Sequence, residues 1–287
     1  MANARLIRKR IRSVRNTAKI TRTMELVSTA KAKRAQDRAV AARPFARELE
    51  GLLAEVRRAA GAGGRHPFLE ERTEGGDALL VVTANRGLCG GYNAGVLRRA
   101  AEAMREAGGE GIALFVVGKK GAAYYRYLGR PVAAAWTDLP DGPRAEDAER
   151  FFAPLAEGFL GGRFRRVRAV SMRFLSASRQ QPVVHTLLPV TTRDTGGPLP
   201  DLLWDPAPGP LLETLLPRYV RTDLLRILME HAVSEQIARR LAMKNATENA
   251  NEMRRSLTKS YNRARQGQIT QQIAEIVGGA EALQSGA

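Results

Sequence analysis

The chain has 287 residues, with 46 Lys and Arg against 29 Asp and Glu, and a formal net charge of +17. Its 44% apolar content excludes a fully disordered chain. A single cysteine, Cys89, excludes a disulfide scaffold and a Cys-ligated zinc site, and three widely separated histidines argue against a His-rich metal centre. No apolar run approaches the roughly 20 residues that a membrane helix needs.

Both ends of the chain are predicted to be long helices. Neither Gly nor Pro occurs from Ala2 to Arg43 or from Arg218 to Gln266. Both segments carry a stripe of mostly apolar or small residues in heptad-like steps. In the first segment the stripe is Ile7, Ile11, Val14, Ala18, Thr21, Ser28, Ala32, Ala35 and Ala39. In the last segment it is Leu224, Leu228, His231, Ala238, Ala242 and Asn245. The pattern favours an antiparallel coiled coil of the two ends. The alternative is that both helices pack on the middle domain as surface helices.

The middle of the chain alternates between strand and helix patterns. The predicted strands are 77–83, 112–117, 131–137, 166–175 and 182–190, and the predicted helices are 93–107, 119–128 and 146–160. This order indicates an α/β fold, with a Rossmann-like, mostly parallel sheet and an antiparallel hairpin at one edge. Residues 191–210 read as a linker. The domain prediction is an N-terminal helix over 1–57, an α/β domain over 74–195, and a C-terminal helix over 210–287 that pairs with 1–57.

A glycine-rich turn, Asn85–Asn93, follows the first predicted strand. Phosphate binds at such turns in nucleotide-binding folds, but the spacing matches neither G-x-G-x-x-G nor a P-loop. A structural turn is therefore favoured over a nucleotide site. Cys89 is interpreted as a small packing residue and His231 as a seam residue. No catalytic group, metal cluster or cofactor site stands out.

The first 38 residues hold 12 basic and 2 acidic side chains. Such a helix can bind nucleic acid through phosphates or face an acidic protein surface. No aromatic residue precedes Phe45, so base stacking is not supported. Charge alone does not separate a basic coiled-coil nucleic-acid-binding protein from an assembly subunit, and the middle domain leaves a Rossmann-like enzyme as a third class.

Three sequence blocks resemble the gamma subunit of the bacterial-type F-type ATP synthase. The first block is Ile7–Arg38, which contains Ile11-Arg-Ser-Val-Arg-Asn-Thr-Ala-Lys-Ile20. The second block is Arg86-Gly-Leu-Cys-Gly-Gly-Tyr-Asn93. The third block consists of Ala242-Met-Lys-Asn-Ala-Thr-Glu-Asn249, Tyr261–Gln266 and Ile269–Ile273. The blocks span the whole chain in the family's order.

The resemblance implies a rotor shaft without bond chemistry or cofactor. The terminal helices would turn inside a ring of alpha and catalytic beta subunits, and the middle domain would meet the epsilon subunit and the c-subunit ring. Ion flow would turn the shaft, which would present a different face to each catalytic subunit. The implied location is peripheral, on the cytoplasmic face of the bacterial inner membrane, with no nucleic-acid partner.

The resemblance also implies contact residues. Met24 matches a position beside the lever loops of the catalytic subunits, and Arg239, Gln266 and Thr270 match positions for coupling and for the catch between shaft and head. Arg265 and Gln272 belong to the same expected set, although relatives often carry an acidic residue where Gln272 stands. No Lys or Arg follows Arg265. This near-neutral end suits an apolar bearing, formed by Ile269, Ile273 and Ile276.

Overall fold

The computed structural model describes residues 2–61, 64–109, 111–176, 179–191 and 203–285. Five α-helices are present in this part of the chain: α1 (Ala2–Ala60), α2 (Tyr92–Glu106), α3 (Lys119–Tyr127), α4 (Ala145–Leu160) and α5 (Pro208–Ser285). The strands are β1 (Gly76–Val82), β2 (Ala113–Val117), β3 (Ala134–Trp136), β4 (Phe164–Phe174) and β5 (Gln180–Leu188). The predicted order of strands and helices is confirmed.

The five strands form one sheet in the order β3-β2-β1-β4-β5. β1 pairs in parallel with β2 and β4, and β2 pairs in parallel with β3. β5 pairs antiparallel with β4 at one edge, as expected for two strands joined by a short connection. The predicted α/β class with a mostly parallel sheet is thereby confirmed.

The sheet is covered on both faces, which explains why its central strand is apolar throughout. Alternate residues of β1 point to opposite sides. Leu80 and Val82 join a core formed with α4, the end of α1 and the first half of α5. Leu79 and Val81 join a second core formed with α2 and α3. The sheet therefore lies between two layers of helices.

The chain divides into two compact units, one of residues Met1–Val27 with Arg240–Ala287 and one of residues Ser28–Arg239. In the first unit, Thr247 Oγ1 donates a hydrogen bond of 2.7 Å to Thr21 Oγ1. Residues near Ala4 share a cavity wall with residues near Tyr261, so the two segments run antiparallel. In the second unit, the small residues Ala32, Ala35 and Ala39 pack with Val233 and Ile237 of α5.

The predicted stripe of α1 is confirmed, because every residue of it is buried or half-buried. The predicted stripe of α5 is wrong at Asn245, which is exposed, whereas Ala242 is half-buried and Met243 and Ala250 are buried. The seam continues in seven-residue steps through Leu257 and Ala264, one residue away from the predicted line. Ala242 and Met243 are both apolar, and only the partner helix decides which of them is covered.

The start of α5 also differs from the expected linker over 191–210. The helix begins at Pro208 and includes Pro210. Proline is tolerated in the first turn, where its missing N–H has no helical partner, so these residues begin a helix rather than prevent one. Residues 192–202 of the expected linker lie outside the described residues.

Candidate functional site

Met24 lies on α1 one turn after Thr21 and is half-buried. Its neighbours Arg22 and Glu25 form an ion pair of 2.9 Å between Nη1 and Oε2. The Met24 thioether is therefore flanked by a charge pair that is already satisfied within the helix. A flexible, uncharged side chain in this position can change contacts at low cost.

The end of α5 presents apolar side chains to solvent. Ile269, Ile273 and Ile276 are 43%, 57% and 72% exposed. The expected contact residues Arg265, Gln266, Thr270 and Gln272 are exposed as well, and the Thr270 hydroxyl donates to the Gln266 carbonyl at 3.0 Å. Contiguous exposed apolar residues on a helix are typical of a protein contact surface.

Arg239 differs from the other expected contact residues because it is buried, with 6% of its surface exposed. One guanidinium nitrogen lies 2.5 Å from Glu235 Oε1. The same group donates to the carbonyls of Arg86 and Gly87 at 3.3 Å each. The structure thus places Arg239 as an anchor that holds the glycine-rich turn on α5.

A second contact joins the turn to α5. The Tyr92 hydroxyl, at the start of α2, lies 2.5 Å from His231 Nδ1. Burial lowers the pKa of His231 below its ordinary value, and burial raises the pKa of the Tyr92 hydroxyl. Both groups therefore stay uncharged near neutral pH. His231 is buried, and its ring contacts the ring of Tyr92 of α2.

Sequence reasoning did not assign Tyr92 or Glu235 to this network. The signal that was available is the spacing of His231, Glu235 and Arg239, which places three polar residues on one face of a helix at intervals of four. That face lies in an otherwise apolar part of α5, and polar groups in such a position require partners.

The glycine-rich turn itself is locked by local contacts. The Asn93 side chain accepts a hydrogen bond from the Ala84 amide at 2.9 Å and donates to Cys89 Sγ at 3.3 Å. Leu88 and Gly90 have φ values of +62° and +57°, which for Gly90 explains the residue type. Cys89 is buried, and burial raises the pKa of its thiol, so it packs rather than reacts.

The nearby N-terminus of α3 offers no amide to a phosphate group. The Lys119 amide donates to Asn85 Oδ1, the Lys120 amide to the Ala84 carbonyl, and the Gly121 amide to Thr83 Oγ1. Free amides at a helix N-terminus are donors that bind phosphate groups. The internal use of these three amides favours a structural turn.

A sequence model of the ATP synthase family matches residues 3–283 of this chain. The ATP synthase gamma chain of Gemmatimonas aurantiaca is 44% identical over 293 residues, which cover 99% of this chain and all of the relative. The chain belongs to the ATP synthase gamma-chain family. The gamma chain of Desulforamulus reducens is 41% identical, again with 99% of this chain and all of the relative covered.

Solved structures show the same fold. The chain is similar to one in the Euglena gracilis mitochondrial ATP synthase assembly titled OSCP/F1/c-ring, with a TM-score of 0.70, 19% identity, and coverage of 99% of this chain and 96% of that one. A chain of the Tetrahymena thermophila central stalk and c-ring structure has a TM-score of 0.61 at 20% identity, and the match covers 79% of this chain and 99% of that one.

The expected family and the expected central-stalk role, as a non-catalytic subunit, are thereby confirmed for this gamma chain. The alternative of a nucleic-acid-binding protein has no support from the family or from these structures. Among the described helices, none has both the length and the apolar composition to cross a bilayer.

Proposed function

We propose that this gamma chain is the rotating shaft that couples ion flow through a membrane ring to conformational change at catalytic beta subunits. The shaft helices are assigned to residues 1–57 and 210–287 and the foot domain to residues 74–195. Its partners would be the alpha and beta subunits around the shaft, and the epsilon subunit and the c-subunit ring at the foot. The complex would hold it peripherally on the cytoplasmic face of the bacterial inner membrane.

The exposed isoleucines at the end of α5 carry this proposal. Ile269, Ile273 and Ile276 lie in a stretch without Lys or Arg. From Ile269 to Ile276 the single charged side chain is Glu275. A surface with so few charges forms few directional ion pairs with a surrounding sleeve, so it can turn without passing through deep electrostatic minima. Arg265, Gln266, Thr270 and Gln272 border this surface and are proposed to form the polar catch between shaft and head.

Coupling requires that the shaft favour different conformations of three identical sites. A shaft can do so only by making different contacts with each site. A contact that is equally favourable with every conformation does not shift the conformational equilibrium of a site. An asymmetric pair of helices has no repeating face and meets this requirement. Met24 is proposed as one of the residues that pass the lever loops of the catalytic subunits, and Arg239 as the residue that holds the glycine-rich turn in place during rotation.

The test replaces Met24 with Lys and, as a matched control, with Leu. Lys would place a charge where an acidic lever loop passes, and one new charged hydrogen bond of about 1–3 kcal/mol would deepen one rotational state. ATP-driven ion pumping per ATP hydrolysed should fall for Met24→Lys and stay near wild type for Met24→Leu. The measurement compares hydrolysis with pumping in membranes that contain the whole complex. Equal pumping per ATP in all three proteins would contradict the proposed contact.

A further inference from the structure

A small polar cavity, here called the polar pocket, lies in the unit of residues 28–239 at the carboxyl ends of β1, β2 and β3. Its volume is about 270 Å³. Four separate segments line it: the glycine-rich turn, the start of α3, the loop that follows β3, and α5 near His231. Ligands of parallel α/β sheets bind at this edge of the sheet. None of the residues proposed above to contact other subunits lines the pocket.

Every carboxylate that lines the polar pocket already has a cation as partner. Asp138 receives two hydrogen bonds from Arg150, at 2.8 and 3.0 Å. Asp141 lies 2.6 Å from Lys31 Nζ, and Glu235 lies 2.5 Å from Arg239. The acidic groups of the pocket are therefore neutralised by their own chain and do not call for a bound cation.

By contrast, three of the hydrogen-bond donors that line the polar pocket have no ion-pair or hydrogen-bond partner among the described residues. The Gln236 side chain is 3% exposed and lines the pocket, and its amide makes no hydrogen bond with any described residue. The Arg86 guanidinium and the Lys119 ammonium also line the pocket and form no ion pair within the described ranges. The Gln236 amide therefore remains able to donate to a ligand in the pocket that carries acceptor atoms.

The size of the polar pocket limits the ligand. Sites for nucleotides and other drug-sized molecules enclose about 300–1,000 Å³, so 270 Å³ suits a group of a few heavy atoms with its bridging waters. The main-chain amides of Lys119 and Gly121 are already used internally, so we assign recognition to side chains. Two unpaired cations and a buried amide select negative charge and acceptor oxygens.

We propose that the polar pocket binds a small oxyanion, held by Arg86, Lys119 and the Gln236 amide. Inorganic phosphate and a carboxylate share this chemistry, the first as a free ion and the second as a small acid or an acidic side chain of a partner. The Thr137 hydroxyl, which also lines the pocket, is a further donor.

The experiment is isothermal titration calorimetry of the full-length chain with phosphate and, separately, with acetate, both against chloride at constant ionic strength. Two variants remove donors: Lys119→Met at the exposed rim and Gln236→Met in the buried wall. Lys120→Met is the matched control, because Lys120 is the next residue, is exposed and does not line the pocket. Circular dichroism establishes that each variant is folded.

Wild type should bind at least one of the two anions in the millimolar range or tighter. Loss of one charged hydrogen bond should weaken binding about tenfold in Lys119→Met and in Gln236→Met, whereas Lys120→Met should stay within about twofold of wild type. Binding of phosphate alone identifies a site for a free ion, and binding of acetate identifies a site for carboxylates. Absence of binding to both anions, or an equal loss in Lys120→Met, would overturn the proposal. Lys119 is exposed, so Lys119→Met should fold normally. Anion binding by this variant therefore tests the proposal even where Gln236→Met does not fold.

Discussion

Residues 224–239 and residues 265–280 belong to the same helix, α5, but they differ in how their side chains are covered. No residue of the first stretch is exposed, and two of its polar contacts lie within the second unit: His231 contacts Tyr92, and Glu235 pairs with Arg239. The second stretch exposes Ile269, Ile273 and Ile276. A helix that its own chain covers has a structural or positioning role, whereas one that leaves apolar residues in water needs another molecule.

Substitution of an arginine is expected to show the largest difference between the two stretches in its effect on the free energy of unfolding. Arg239→Met removes the partner of buried Glu235 and the donor to the turn carbonyls, so the free energy of unfolding should fall by about 3–5 kcal/mol. Arg265→Met, on the exposed stretch, should change it by less than about 0.5 kcal/mol. Urea unfolding followed by circular dichroism measures both. Similar values for the two variants would show that Arg239 is not the anchor of the turn.

Truncation of apolar side chains gives a second contrast. Leu228 is fully buried in the core against the sheet, so Leu228→Ala should cost about 2–5 kcal/mol. Ile273→Ala removes a side chain that is already in water and should have little effect on the isolated chain. The same unfolding experiment compares them. A large cost for Ile273→Ala would mean that the end of α5 is covered in the free protein.

A pH dependence of stability is expected from a buried histidine that lies against α5. His185 of β5 lies near Asp223 and Arg226 of α5, and burial, with Arg226 nearby, lowers its pKa to about 4. An unfolded histidine takes up its proton near pH 6.5, so between these values the unfolded state binds more protons. Stability should therefore fall as the pH drops through this window, by on the order of 1–3 kcal/mol for this residue.

The variant His185→Gln isolates this contribution, because burial also lowers the pKa of His66 and of His231. Unfolding at a series of pH values should give a shallower decline for His185→Gln than for wild type. Parallel curves would mean that His185 takes up its proton equally in both states.

The smallest effect on the isolated chain is expected at the end of α5. Ile269→Asp, Ile273→Asp and Ile276→Asp place a charge in water and should each change the free energy of unfolding by less than about 0.5 kcal/mol. In the whole complex they should weaken assembly or ATP synthesis, because an apolar sleeve would have to desolvate the carboxylate. Unchanged ATP synthesis in membranes for all three variants would show that this surface is not needed for assembly or coupling.

The sequence by itself determined the elements and their order. Long stretches without Gly or Pro predicted the terminal helices, and apolar runs bounded by turns predicted β1, β2, β4 and β5. The α1 stripe was correct along its length, since the period of a helix is a local property that the sequence carries directly. Family membership also followed from the sequence, through motifs that span the whole chain.

Tertiary structure alone decided which side chains meet. The register of α5 near Met243 depends on the partner helix, because neighbouring small and apolar residues are equivalent until one of them is covered. Buried Arg239 contacts the glycine-rich turn, which lies far from it in the chain. The pocket likewise brings together residues from distant segments: Arg86, Lys119 and Gln236. Local periodicity fixes which face of an element is apolar, but contacts between distant segments depend on how the whole sheet and its helices pack.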